Sequence, residues 1–200
     1  MNRLITGCLL IFVASLTLTS CKTMSPAEYE AMQQKAHQAD VLAERLKKLE
    51  SAHASMQQEL RAEIEAQRIQ IERLSDREVK MTMQEDVLFP LSSIVINQQG
   101  REMLGKLAKS LKQAPDAAIK IVGHTDLLPI TDPKLKKRFM DNWELSAARA
   151  ASVARVFIWG EQINEERIHV VGRSYVEPVG DNRTEEGRQQ NRRIEIFLVQ

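Results

Sequence analysis

Asn142-Trp143-Glu144-Leu145-Ser146-Ala147-Ala148-Arg149-Ala150 is the stretch on which the reading of this chain turns. Its pattern predicts a helix over 143–159, stopped by Gly160. Asn142, Leu145, Ser146 and Arg149 stand at i, i+3, i+4 and i+7 and share one face. Ala147, Ala150, Ala151, Ala154 and Phe157 make the other, packed face. Upstream, Gly123-His124-Thr125-Asp126 closes a predicted strand over 118–122. A carboxylate thus leaves a strand end and a guanidinium leaves the second turn of a helix. If both face one pocket they form a two-point clamp for a zwitterion. Arg149 can take a carboxylate bidentately, and Asp126 can take an ammonium.

Around these motifs the texture from about Val79 onward is that of one folded domain. Strand-like runs at 79–83, 118–122, 167–171 and 192–199 alternate with helical runs at 99–113 and 143–159. In the first helix Met103, Leu104, Leu107, Ala108 and Leu111 form one stripe. The order β-α-β-α-β-β fits a single α/β sandwich. From Met81 onward there are 17 basic and 16 acidic residues, so no bulk field attracts nucleic acid.

These residues resemble the OmpA-like, or OmpA/MotB C-terminal, peptidoglycan-binding family. The likeness rests on Thr125-Asp126, on the Asn142 to Ala150 run, and on Gly187-Arg188-Gln189-Gln190-Asn191-Arg192-Arg193-Ile194-Glu195. Asp86-Val87-Leu88-Phe89 matches the family's opening strand motif, and the Asn-Trp-Glu-Leu-Ser run is closest to the MotB-type branch. The resemblance implies non-covalent binding of the peptide stem of peptidoglycan through its diaminopimelate. It implies that Asp126 holds the ammonium and Arg149 the carboxylate, with Thr125, Asn142 and Leu145 lining the pocket and Arg193 contributing from the last strand. Two departures stand out. Residues 127–141 form a longer connection with Pro129, Pro133 and the basic residues Lys134, Lys136, Lys137 and Arg138, placed to shape the pocket rim or meet a partner. The family's usual glycine near Ser92-Ser93 is missing.

Other chemistry is poorly supported. His124 has no third ligand at metal spacing, and Ser146 has neither a nucleophile-elbow turn nor a His partner. Neither an enzyme, a metal site nor a cofactor is expected. Trp143 and Trp159 read as core or boundary anchors.

Between Pro26 and Pro90 there is no glycine and no proline. Leu42, Leu46, Leu49, His53, Met56, Leu60, Ile64, Gln67, Ile71 and Leu74 recur at heptad-like spacing, with one local 11-residue step. Nine basic and eleven acidic residues fill the rest of 27–80. A thin apolar stripe on a charged helix needs a partner. The spacing therefore predicts a coiled-coil rod over 27–80, homo-oligomeric, ahead of a domain at 81–200.

The first segment reads as an export signal. Arg3 precedes an apolar run of about 15 residues, short of the roughly 20 that span a bilayer. Leu18-Thr19-Ser20-Cys21 resembles the bacterial lipobox. That resemblance implies a signal peptide over 1–20, a lipidated tether over 21–26, and acylation at Cys21; Cys8 falls in the discarded part. Lys22 after the cysteine favours the outer membrane. The whole chain has 200 residues, 43% hydrophobic, 28% charged and 4% aromatic, with a formal net charge of +1. Its two cysteines exclude a disulfide framework.

The reading is thus an outer-membrane lipoprotein, facing the periplasm, that tethers membrane to wall. The alternative is a wall-anchored component of a flagellar motor or secretion complex. An ion-conducting stator is excluded, because the segment before Cys21 holds no acidic residue.

Overall fold

A computed structural model describes residues 24–200. The expected signal peptide, Cys21 and its lipobox lie outside the described residues. The described residues divide into two units at Gln38 and Ala39.

Helix α1 runs over Pro26–Glu59. A capping box starts it: Glu28 N–H donates to the Ser25 hydroxyl at 3.2 Å, and Ser25 N–H to the Glu28 carboxylate at 2.8 Å. Tyr29, Met32, Val41 and Leu42 are exposed, whereas Leu49, Ala52, Met56 and Leu60 are buried in the core of the second unit. The heptad stripe from Leu49 onward therefore finds its partner within its own chain. Ser55 accepts a hydrogen bond from Ser110 at 2.9 Å on this contact.

The rod expected over 27–80 stops at Glu59. A short helix α2 (Arg61–Glu65) follows, then an antiparallel hairpin of β1 (Ile69–Ser75) and β2 (Glu78–Gln84). The chain reverses from helix to strand at Gln67, whose φ of 56° is left-handed. A non-glycine residue makes this turn, so the lack of glycine gave no warning of it. Ile71 falls on the heptad seam, but Ile69 and Ile71 together fit a two-residue period, and pairing with Met83 and Met81 selects the strand.

The rest follows the expected order with extra short elements. Helix α3 (Glu85–Leu88) stands where the opening strand motif was expected to be extended, because β2 ends one residue earlier. Then come α4 (Gln98–Leu111), β3 (Ala118–Gly123), α5 (Pro133–Lys136), α6 (Asn142–Arg155), β4 (Ile168–Gly172), α7 (Glu185–Asn191) and β5 (Arg193–Val199). The sheet order is β1-β2-β5-β3-β4, parallel only between β3 and β4. Helix α6 is the crossover joining those two strands.

Ile194, Ile196 and Leu198 of central strand β5 enter the core beside Phe157, Leu104 and Leu107. Arg193 and Glu195 alternate to the opposite face. Trp143 and Trp159, expected as core or boundary anchors, are 46% and 74% exposed.

Helix α6 lies unusually close to the sheet. A Cβ added at Gly123 would sit 2.1 Å from the Ser146 carbonyl oxygen, and one at Gly172 would sit 2.8 Å from the Ala147 nitrogen. The small residues on α6 and the two strand-end glycines together place Arg149 beside the end of β3.

On the other side of β5, Arg193 Nε donates to Glu195 at 2.9 Å, and His124 Nε2 lies 3.3 Å from the same carboxylate. Burial works against the Glu195 carboxylate, but His124 and Arg193 outweigh it and hold its pKa at about 2. A folded pKa below the unfolded value near 4.5 means stability present above that value and lost as pH falls toward 2. Urea unfolding of the wild type should thus weaken by about 2 kcal/mol between pH 5 and pH 2 through this group. Glu195→Gln should flatten that part of the profile; an unchanged slope would refute the assignment.

Candidate functional site

The end of β3 leads straight into the site. Gly123 accepts from Arg173 N–H at 2.9 Å, His124 N–H donates to Arg193 O at 2.9 Å, and Thr125 N–H to Ser174 O at 2.8 Å. These backbone bonds fix the ridge that carries Asp126. Asp126 then folds into an Asx turn, its Oδ1 accepting from Leu128 N–H at 2.9 Å. Helix α6 starts opposite. Asp141 caps it by accepting from Trp143 N–H at 2.9 Å and Glu144 N–H at 3.1 Å. The Asn142 amide donates to Leu128 O at 2.9 Å and Asp126 O at 3.4 Å, tying helix start to strand end. Ser146, on the same face, is structural: its hydroxyl accepts from Ser174 N–H and donates to Trp143 O.

Thr125, Asp126, Asn142, Leu145 and Arg149 all line one cleft of about 350 Å³. The connection over 127–141 forms a wall of it through Leu128, Pro129, Ile130 and Leu135. That wall stands on a small apolar cluster of Ile94, Leu135 and Leu145. Ser92, where the family's glycine was missed, also lines the cleft and holds φ at 58°, doing with a serine what a glycine does more easily.

Arg193 is not there. Its guanidinium donates to Glu195, Asn191 O and Glu177 O, and it borders a separate hollow of about 390 Å³ with Arg68, Lys80 and Gln84. Its neighbour Arg192 enters the cleft instead. Adjacent residues at a strand start project to opposite sides, so a one-residue choice between two arginines decides the site.

The cleft is charged in alternation. Arg149 grips Glu85 fork to fork, Nη1 to Oε2 at 2.6 Å and Nη2 to Oε1 at 2.5 Å. Asp126 Oδ2 accepts from Arg192 Nη1 at 2.6 Å, and Arg192 Nη2 reaches Glu185 at 2.8 Å. Burial pushes the Glu85 carboxyl upward, with Arg149 and Arg192 pulling it back. Burial also lowers Arg149, with Glu85 opposing. The Phe89 ring lies 5.7 Å from the Arg149 guanidinium carbon. Among the described residues, buried Arg149 Nε and Thr125 Oγ1 have no hydrogen-bond partner. Glu85, Glu185 and Arg192 were absent from the expected site. Only the position of Glu85 just ahead of the Asp86-Val87-Leu88-Phe89 motif could have pointed to one of them.

The sequence pattern of the OmpA family matches residues 88–192. The chain belongs to the OmpA family. The match takes in the cleft residues from Leu91 to Arg192 and leaves out Glu85. Among proteins of this kind, the uncharacterized protein YtxE of Bacillus subtilis is 36% identical over 123 residues, 62% of this chain and 49% of that protein. The probable lipoprotein YiaD of Escherichia coli is 34% identical over 118 residues, 59% of this chain and 50% of that one. The solved structure of the cell wall anchor of the T6SS from Pseudomonas aeruginosa superposes with a TM-score of 0.64 at 31% identity, over 72% of this chain and 96% of that one. The chain spans about half the length of the curated relatives it matches. Strands β3 and β4 and most of the cleft lie inside the matched residues, whereas α1, β1, β2 and β5 lie outside them.

Proposed function

We propose that this chain is a non-catalytic wall anchor, binding the stem peptide of peptidoglycan through the zwitterionic end of diaminopimelate. The observation that carries it is the convergence of Asp126 and Arg149, 23 positions apart in sequence, on one cleft bordered by Thr125, Asn142 and Leu145. The guanidinium suits a carboxylate and the aspartate an ammonium. Family membership and the likeness to a cell wall anchor support the same reading. In this proposal acyl chains on Cys21 hold the other end in the outer membrane. The exposed Tyr29, Met32, Val41 and Leu42 of α1 pair with another copy as a short coiled coil.

Retention on purified sacculi tests the reading. The protein should sediment with diaminopimelate-type sacculi and be released by excess free diaminopimelate. Equal retention on sacculi whose stems carry lysine in that position would sink it. The likeness to the T6SS anchor favours a second reading, in which wall binding serves only to fix an envelope machine. Stoichiometric partners co-purifying with the detergent-solubilised protein would select that reading over a general tether.

A further inference from the structure

Both charges of the proposed clamp are already paired within the chain, and in a particular way. Glu85 occupies the two-pronged face of Arg149 that a ligand carboxylate would take. Arg192 occupies the Asp126 oxygen that an ammonium would take. The two internal ions are themselves neighbours. Glu85 N–H donates to Arg192 O at 2.9 Å, and the preceding pair Gln84 and Arg193 is the last rung of the β2–β5 ladder. Whatever their side chains hold, the two backbones stay together.

We propose that Glu85 and Arg192 are exchangeable counter-ions: a ligand bearing both signs takes Arg149 and Asp126, and the released Glu85 and Arg192 pair with each other. The proposal rests on the cleft being the diaminopimelate site and adds what makes it selective. A ligand with only a carboxylate frees Glu85, 16% exposed, while Arg192 remains engaged by Asp126. The freed carboxylate is then left in a low-dielectric wall without a full partner. A ligand with only an ammonium frees Arg192, which Glu185 still holds, but leaves Glu85 on Arg149 and gains nothing there. Only a head with both charges completes the exchange. Glu85 and Arg192 thus act on specificity through Arg149 and Asp126, as positioning residues.

Calorimetric titration of the full chain with meso-diaminopimelate, pimelate (the same carbon chain without amines) and cadaverine (without carboxylates) tests this. Wild type should prefer diaminopimelate by more than tenfold over either stripped ligand. Glu85→Gln should bind pimelate at least tenfold more tightly than wild type, while diaminopimelate changes less than threefold. Arg192→Gln, which removes the receiver for Glu85, should weaken diaminopimelate about tenfold with Asp126 and Arg149 intact. Pimelate binding that is unchanged or weaker in Glu85→Gln, with wild type still binding diaminopimelate, overturns the exchange and leaves the clamp standing. No binding of diaminopimelate by wild type, together with no retention on sacculi, removes the clamp and the exchange together.

Discussion

Arg149→Ala is expected to abolish retention on sacculi and to lower the unfolding free energy by about 3 kcal/mol. The second effect follows from Glu85. With Arg149 gone, the Glu85 carboxylate, already pushed upward by burial, keeps only Arg192 nearby. Removing one member of a buried pair costs about 3–5 kcal/mol because the other charge is left uncompensated. The partial exposure of Glu85 puts the expected loss at the lower end. The double variant Glu85→Ala with Arg149→Ala separates the two roles. It should recover most of the stability and none of the wall retention. A double variant still retained on sacculi would show that the guanidinium is not the carboxylate grip. Asp126→Ala should lose binding by about 2 kcal/mol or more with a smaller effect on folding, since Arg192 keeps Glu185.

Gly123→Ala is expected to be among the most disruptive single methyls in the domain. Its Cβ would meet the Ser146 carbonyl oxygen at 2.1 Å and the Ser146 carbonyl carbon at 2.9 Å. Both are backbone atoms of α6, so no rotamer change relieves the clash. The helix must move off the sheet, and with it Asn142, Leu145 and Arg149. Overpacking of this kind costs about 1–3 kcal/mol when neighbours yield, and more when they are backbone. Thermal unfolding followed by circular dichroism should show a fall of ten degrees or more, or no cooperative transition. Gly105→Ala is the internal control, since its Cβ would meet only the flexible end of Glu161. Equal Tm values for the two variants would refute the close-approach argument.

Much of this site was legible in the residue order. The spacing of Asn142, Leu145 and Arg149 required one helical face, and the strand before Gly123 put Asp126 at a sheet end. Those inferences need only local periodicity, which is set by backbone geometry. The paired Arg192 and Arg193 show the limit. Which of two adjacent arginines faces the cleft depends on where α7 ends and β5 begins, and that is set by pairing with β2 and β3. Glu85 was invisible for a related reason: its partner lies 64 positions away.

Helix α1 illustrates the same division. A charged helix with a thin apolar stripe was evident from composition, and the long helix is there. Where it stops was not evident, because Ile71 continues the heptad seam while Ile69 and Ile71 together make a strand alternation. What covers the stripe was not evident either, because a greasy seam is chemically indifferent to whether its partner comes from another chain or from the same one. Residue order alone thus determined the α/β pattern, the helix faces and the strand-end carboxylate, all of them products of short-range geometry. Tertiary structure alone decided the hairpin at 69–84, the burial of Leu49 and Met56, and the counter-ions held by Asp126 and Arg149. Those depend on which distant surfaces meet when apolar area is withdrawn from water, and no local period encodes that choice.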